Sequence, residues 1–256
     1  MDSQTQVRLP DEELPRVMEL IRGSDSVELK LTVPEEYGRS AASALGVDPL
    51  DAHIRQIFFF DTPELTLDSA GVVVRARRIQ RAKDDTVVKL RPVEPAELPD
   101  EVRRSKGFKV ELDAMPGGFV CSASFKGRAG EGEVMDAVAG RTRLSRLFSK
   151  EQRDFFGMHA PDGIELDDLS VLGPVFVLKL KYTPEGAARP LTVELWNYPH
   201  GSRILELSTK TVPSEAFQAV AETRAFLIER GVFLDGKQET KTRTALEFFA
   251  RELAGA

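Results

Sequence analysis

The chain has few of the residues that build disulfide frameworks and imidazole or thiolate metal sites. Among 256 residues there is one cysteine, Cys121, and there are three histidines, His53, His159 and His200. A single cysteine excludes an intrachain disulfide and a cysteine-rich zinc site. The histidines lie far apart in the sequence, so a histidine-based metal site has little support. This cysteine usage is typical of a reducing compartment, and we expect a cytoplasmic protein.

Long apolar runs and a net basic charge are also absent. No apolar stretch approaches the roughly 20 residues that a membrane-spanning helix needs, and the first residues lack the regions of a signal peptide. The formal net charge is -6 at pH 7, whereas a general nucleic-acid-binding protein needs a net basic face. The sequence contains no Gly-rich nucleotide-binding turn and no nucleophile elbow. We therefore expect a soluble protein that binds neither membranes nor nucleic acids.

Eight stretches alternate apolar residues with charged ones, and this alternation is the most informative feature of the sequence. They span residues 27–31, 74–77, 88–91, 109–113, 164–167, 178–181, 193–195 and 205–210. A period of two predicts β-strands with one apolar face and one charged face. The charged face would carry nine cations and seven anions: Lys30, Arg75, Arg77, Lys89, Arg91, Lys109, Lys179, Lys181, Lys210, Glu28, Glu111, Asp113, Glu165, Asp167, Glu194 and Glu206.

Two arrangements of such a sheet fit the pattern. In the first, the charges face solvent and form cross-strand ion pairs on an ordinary sheet. In the second, the sheet closes with its apolar side outward under helices, and the charges line a wet interior where they pair. The fold class is α+β, because strand-rich segments combine irregularly with helical ones. Helices are predicted at 11–22, 35–45, 213–229, 240–253 and within 119–148. Further strands are predicted at 152–158 and 163–167. We expect Trp196, Phe248 and Phe249 to lie in the core.

A closed, charged interior would suit one class of ligand. Converging lysines and arginines match a polyphosphate, because guanidinium forks bind phosphate oxygens bidentately and ammonium groups act as point charges. Carboxylates in the same interior would repel that ligand, but they are suitable ligands for Mg²⁺ or Mn²⁺. The combination is typical of metal-assisted phosphoryl transfer.

Six short segments, in order along the chain, add a family resemblance. They are Val27-Glu28-Leu29-Lys30, Phe59-Phe60-Asp61-Thr62-Pro63, Gly71-Val72-Val73-Val74-Arg75-Ala76-Arg77, Val88-Lys89-Leu90-Arg91, Val193-Glu194-Leu195 and Leu205-Glu206-Leu207-Ser208-Thr209-Lys210. Lys241-Thr242-Arg243-Thr244-Ala245-Leu246 is also similar to a closing helix. Together they resemble the CYTH-domain proteins, the triphosphate tunnel metalloenzymes, over about residues 25–250.

The resemblance implies a closed eight-stranded antiparallel β-tunnel, a barrel with helices packed outside. Residues 25–256 would form it, with residues 1–24 as an N-terminal tail and helix. The implied activity is hydrolysis of inorganic triphosphate or a nucleoside triphosphate with Mg²⁺ or Mn²⁺ as cofactor, and a homodimer is plausible. Glu28 and Lys30 are the implied catalytic residues, and Glu28, Glu194 and Glu206 the implied metal ligands. The implied triphosphate contacts are Lys30, Arg75, Arg77, Lys89, Arg91, Lys179, Lys181 and Lys210.

Two positions depart from the family pattern and keep alternatives open. Ser26 stands where the ExExK motif has its first glutamate, and Phe59 where the family often has tyrosine. Both changes concern the handling of metal and water more than the binding of phosphate. One alternative is a class IV-type adenylyl cyclase, in which the ribose 3′-hydroxyl attacks the α-phosphate. The other is a phosphate-binding module without catalysis.

Overall fold

The computed structural model describes residues 13–233 and 241–255; residues 1–12 of the predicted N-terminal segment lie outside them. The strands are β1 Ser26–Val33, β2 His53–Asp61, β3 Val72–Ile79, β4 Asp85–Leu90, β5 Phe108–Met115, β6 Gly118–Arg128, β7 Ser170–Tyr182, β8 Leu191–Asn197 and β9 Arg203–Thr211. The α-helices are α1 Glu13–Gly23, α2 Gly38–Ala44, α3 Thr66–Ser69, α4 Asp100–Arg103, α5 Glu133–Val138, α6 Lys150–His159, α7 Ala216–Glu229 and α8 Lys241–Gly255. Within these ranges, no helix is long and apolar enough to cross a bilayer.

The strands form a closed barrel in the order β1-β5-β6-β4-β3-β2-β7-β8-β9, and β9 pairs back to β1. The predicted α+β fold with a closed barrel is confirmed, but its strand number and its purely antiparallel pairing are wrong. The described barrel has nine strands, and β1 and β5 run parallel, with Glu28 opposite Asp113. A closed ring with an odd number of strands cannot alternate direction at every interface. At least one parallel pair is therefore required.

Two local predictions differ from the structure, because a helix cap and strand pairing outweigh the hydrophobic pattern of the sequence. Residues 152–158, predicted as a strand, belong to α6. That helix begins with a capping box, in which the Ser149 side chain and the Gln152 side chain each bond the other residue's backbone N–H. Of residues 119–148, predicted as helical, those up to Arg128 instead belong to β6, which pairs with both β5 and β4, whereas α5 lies within the predicted range.

The apolar side chains form two clusters on opposite sides of the barrel wall. The outward-facing Val27, Leu29 and Leu31 of β1 are buried in one cluster with Val17 and Ile21 of α1. This is the expected packing of helices on the outside. The second cluster joins inward-facing residues of β2, β7, β8 and β9 to buried residues of α8. Because those strand residues point into the barrel, α8 covers one end of its interior.

Candidate functional site

The inward face of the barrel surrounds a cavity of about 780 Å³. Strand alternation aims the charged residues into it, as the closed-sheet interpretation predicts. Every residue that the sequence assigned to catalysis, metal or triphosphate lines this cavity: Glu28, Lys30, Arg75, Arg77, Lys89, Arg91, Lys179, Lys181, Glu194, Glu206 and Lys210. The structure thus brings together a set that spans some 180 residues of sequence.

Sequence reasoning missed several cavity residues, and the misses have identifiable causes. Arg55 and Lys126 line the cavity, but Arg55 lies outside the eight alternating stretches, and Lys126 lies on the missed β6. Lys241 and Arg243 come from the start of α8, where helical periodicity gives no sign of what the helix faces. Among the described lining residues, twelve are cationic and five are acidic.

Four members of the predicted charged face do not line the cavity, and one of them, Asp113, is buried in ion pairs with the lining residues Lys30 and Arg91. Lys109 is exposed on β5 and does not line the cavity. Glu165 and Asp167 lie at a short 3-10 helix, Leu166–Asp168, so their stretch is no strand. The Asp167 carboxylate accepts hydrogen bonds from the backbone N–H and the hydroxyl of Ser145, at 2.7 and 2.9 Å. This carboxylate therefore joins two surface segments.

Lys30 holds together two carboxylates of neighbouring strands. Its Nζ lies 2.8 Å from Asp113 Oδ1 and 3.5 Å from Glu28 Oε2. The Ser208 hydroxyl donates to the other oxygen of Glu28 at 2.9 Å. Burial opposes the charged form of Lys30, but Asp113, Glu28 and Glu206 outweigh it and raise the pKa of the ammonium. Lys30 is accordingly a fixed cation at neutral pH.

A second lysine holds the other two carboxylates of the predicted metal set. Glu194 and Glu206 lie opposite each other on β8 and β9, and Lys241 Nζ lies 2.7 Å from Glu194 Oε2 and 2.5 Å from Glu206 Oε1. Lys179 Nζ lies 2.7 Å from the remaining oxygen of Glu194. Burial would raise the pKa of Glu194, yet Lys241 and Lys179 hold it well below its ordinary value. Burial raises the pKa of Glu206, and the neighbouring Lys241 and Lys30 do not offset it.

The β2–β3 wall of the cavity carries three arginines, and two of them have no ion-pair partner among the described residues. Arg77 is paired bidentately with Asp85, at 2.7 and 2.5 Å, whereas Arg55 and Arg75 form no ion pair with a described carboxylate. The Nε atoms of both arginines are buried without a hydrogen-bond partner among the described residues. Burial and then the neighbouring Arg77 lower the pKa of Arg75 to about 9, so it stays charged at neutral pH. Unpaired buried guanidinium groups mark a place prepared for an anion.

Lys89 and Arg91 of the next wall share one carboxylate at longer range. Their nitrogens lie 4.0 and 3.6 Å from Asp113 Oδ2. Burial lowers the pKa of Lys89 to about 8, against the opposing charge of Asp113. An anion entering the cavity would therefore stabilise the protonated form of Lys89.

Glu111 lies between two further lysines. It pairs with Lys210 and lies 4.0 Å from Lys126. Burial would raise the pKa of Glu111, but Lys126 and Lys210 outweigh it and lower the pKa to about 2. This carboxylate is thus ionised throughout the physiological range.

Two residues of the Phe59-Phe60-Asp61-Thr62-Pro63 segment have structural roles. Asp61 is buried and accepts hydrogen bonds from the backbone N–H groups of Thr62, Leu67 and Asp68, at 2.7, 2.8 and 3.0 Å. It thereby fixes the chain as it enters α3. Phe59 is fully buried in the apolar cluster shared with α8. The motif builds the barrel end, and its aromatic side chain packs there.

Among the three predicted metal ligands, Glu194 and Glu206 converge on one cation, whereas Glu28 does not join them. The described residues contain no group of three or more histidine, cysteine, aspartate or glutamate side chains placed to hold a metal ion. Glu194 and Glu206 do share a cation, the Lys241 ammonium, which shows that their oxygens converge on one point. Glu28 is bonded to Lys30 and Ser208 instead.

Comparison with known proteins identifies the fold. No family model matches the sequence, and no curated protein does. A solved "putative adenylate cyclase" from Bacillus halodurans is 15% identical, with 86% of this chain and 97% of that chain covered and a TM-score of 0.59. HpAC1 from Hippeastrum, a "putative adenylyl cyclase" described as having a dominant triphosphatase activity, is 17% identical, with 86% and 95% covered and a TM-score of 0.62. Identities this low show the fold alone, and the chain therefore has the closed-barrel fold of these two solved proteins, as its CYTH-type motifs predict.

Proposed function

We propose that this protein binds the phosphate chain of inorganic triphosphate or a nucleoside triphosphate in the barrel cavity and hydrolyses it. The observation that carries the proposal is the charge of the cavity, which is lined by twelve cationic and five acidic side chains of the described residues. Two of the arginines, Arg55 and Arg75, form no ion pair with any carboxylate in the part of the chain that the structure describes. A polyphosphate would supply several negative charges to these arginines, whose guanidinium groups can bind phosphate oxygens bidentately.

The proposed roles of the cationic residues differ. Phosphate oxygens would be bound by Arg75, Arg77, Lys89 and Arg91. Because these cations are held in fixed positions, they would stabilise the negative charge that develops during phosphoryl transfer. Lys30 would act there as a cation. It cannot serve as a general base at neutral pH, because Asp113 and Glu28 keep it protonated.

A divalent cation, Mg²⁺ or Mn²⁺, is part of the proposal as a partner of the phosphate chain. Glu194 and Glu206 would contact it, since Mg²⁺ is commonly bound by one or two carboxylates together with substrate phosphates. Bound in this way, it would neutralise phosphate charge and make water a better nucleophile.

Hydrolysis is preferred to cyclisation because one protein of the same fold, HpAC1, is described as having a dominant triphosphatase activity. The cyclase and the non-catalytic binding module remain as distinct outcomes of the same experiment.

The test is phosphate release from inorganic triphosphate and ATP with Mg²⁺ or Mn²⁺, followed by chromatography of the products. Arg75→Ala and Lys30→Ala should each lower the rate on the order of 100-fold, the typical cost of removing one donor that stabilises developing charge. Arg39→Ala, which removes an exposed arginine of α2, should leave the rate unchanged.

Each other outcome has a defined meaning. Cyclic AMP and pyrophosphate as products would identify a cyclase. Tight binding of intact triphosphate would identify a binding module. The proposal fails altogether if neither triphosphate binds and no phosphate is released.

A further inference from the structure

Lys241 lies where a metal ion would have to lie in the predicted site. Its Nζ is within 2.7 Å of Glu194 Oε2 and 2.5 Å of Glu206 Oε1. It also lies 4.8 Å from the centroid of the Trp196 ring, a distance typical of a cation–π contact. One ammonium group thus occupies the point on which both carboxylates converge.

The oxygens of Glu194 already accept three hydrogen bonds, out of about four that a carboxylate can accept. Oε1 accepts from Lys179 at 2.7 Å. Oε2 accepts from Lys241 at 2.7 Å and from the indole N–H of Trp196 at 3.1 Å. A metal ion at this carboxylate would have to share it with both lysines, unless one of them moved away.

The fold, and not a flexible side chain alone, places the ammonium group. Lys241 begins α8, and the helix buries Ala245, Leu246 and Phe249 in the apolar end of the barrel. The hydroxyl of Tyr198 donates to the Lys241 backbone carbonyl at 3.0 Å. Moving Lys241 far from the pair would disturb these contacts.

Two buried carboxylates that face each other repel, and this repulsion is relieved either when a cation lies between them or when one of them takes up a proton. An ammonium group and a divalent metal ion are alternatives for that position. We propose that Lys241 is the resident cation of the Glu194–Glu206 pair, so the protein without substrate binds no divalent metal there, and any Mg²⁺ or Mn²⁺ arrives with the phosphate chain. This inference rests on the proposed function for its substrate.

The first test is titration of the purified protein with Mn²⁺ alone, followed by electron paramagnetic resonance of the free ion. The wild type should show no saturable site. Lys241→Met, which keeps the length of the side chain and removes its charge, should bind Mn²⁺ at least about tenfold more tightly, a change worth about 1.4 kcal/mol. Lys241→Arg, which keeps the charge, should behave like the wild type, and Lys83→Met on the exposed surface is the mutational control.

A saturable Mn²⁺ site in the wild-type protein overturns the inference. The wild-type titration decides this even if Lys241→Met fails to fold. Thermal unfolding is the second readout: Mn²⁺ should raise the melting temperature of Lys241→Met but not that of the wild type.

Calorimetric titration with inorganic triphosphate, in chelator and in Mg²⁺, separates this inference from the proposed function. Under the inference, the wild type binds triphosphate in chelator as well as in Mg²⁺. If triphosphate binds in neither, the proposed function fails, whereas the Mn²⁺ titration still decides the role of Lys241. Binding that requires Mg²⁺, together with a saturable Mn²⁺ site, keeps the function and rejects the inference.

Discussion

Individual carboxylates of the cavity differ in how many cations surround them, and this difference sets their protonation. Asp113, with a side chain 1% exposed, faces Lys30, Lys89 and Arg91. Burial would raise its pKa, but these cations lower it. The sequence shows that such residues share a face, whereas it does not show which cation approaches which carboxylate.

Glu111 provides a prediction on pH. Its pKa falls from the ordinary 4.5 to about 2 in the folded protein. A carboxylate with a lowered folded pKa stabilises the fold above its unfolded pKa, and this stabilisation is lost as the pH falls through the folded value. Between pH 4.5 and about pH 2, the free energy of unfolding should therefore fall less steeply in Glu111→Gln than in the wild type.

Urea denaturation across this range measures the effect. Glu36→Gln, a change at an exposed glutamate, should keep the wild-type slope. Equal slopes for Glu111→Gln and the wild type would mean that Lys126 and Lys210 do not hold Glu111 in solution.

Among the secondary-structure elements, α8 connects the core to the cavity. Its apolar face fills one end of the barrel, and its first turn brings Lys241 and Arg243 to the cavity wall. The predicted amphipathic helix at 240–253 agrees with α8, although Thr240 lies outside the described residues. Its insertion into the barrel could not be predicted, since helical periodicity identifies an apolar face but not the surface that it covers.

Leu246→Ala tests the docking of α8. Leu246 is 2% exposed, so truncating it should lower the free energy of unfolding by about 2–5 kcal/mol, the usual range for a buried leucine. Leu253→Ala is the matched control in the same helix, because Leu253 is 40% exposed and its loss should change stability little. A similar small effect for both variants would show that α8 does not pack inside the barrel.

In the whole molecule, the cavity belongs to the closed barrel and not to any one segment. Its lining residues come from all nine strands of the described barrel and from α8. A ligand that contacts opposite walls therefore binds the folded state and not the unfolded chain. This links occupancy of the cavity to global stability.

Inorganic triphosphate should accordingly stabilise the entire protein. At 100 times its dissociation constant, a ligand specific for the native state adds about 2.7 kcal/mol to the free energy of unfolding. Differential scanning fluorimetry should show a higher melting temperature with triphosphate than with sulfate at equal ionic strength. An identical shift with both salts would indicate general screening of the charged cavity and no specific site.

The alternation of charged and apolar residues predicted a sheet with one charged face, and the family resemblance added the expectation that this sheet closes into a barrel. A period of two fixes which side chains share a face, and seven of the eight alternating stretches lie in strands or at their ends. The exception, residues 164–167, shows the limit of a short pattern, because four residues also fit a 3-10 turn. β6 was missed since its Phe119 to Phe125 segment is nearly continuous in apolar and small residues and resembles a helix as well as a strand.

Only the tertiary structure decided how the charges combine. Pairing of Lys241 with Glu194 and Glu206 depends on contacts between residues at least 35 positions apart, and Lys30 reaches Asp113 across the parallel β1–β5 interface. The sequence determined which charges enter the cavity, because strand parity is a local property. Their partners depend on strand order, register and the docking of α8, which are properties of the closed barrel and not of any single strand.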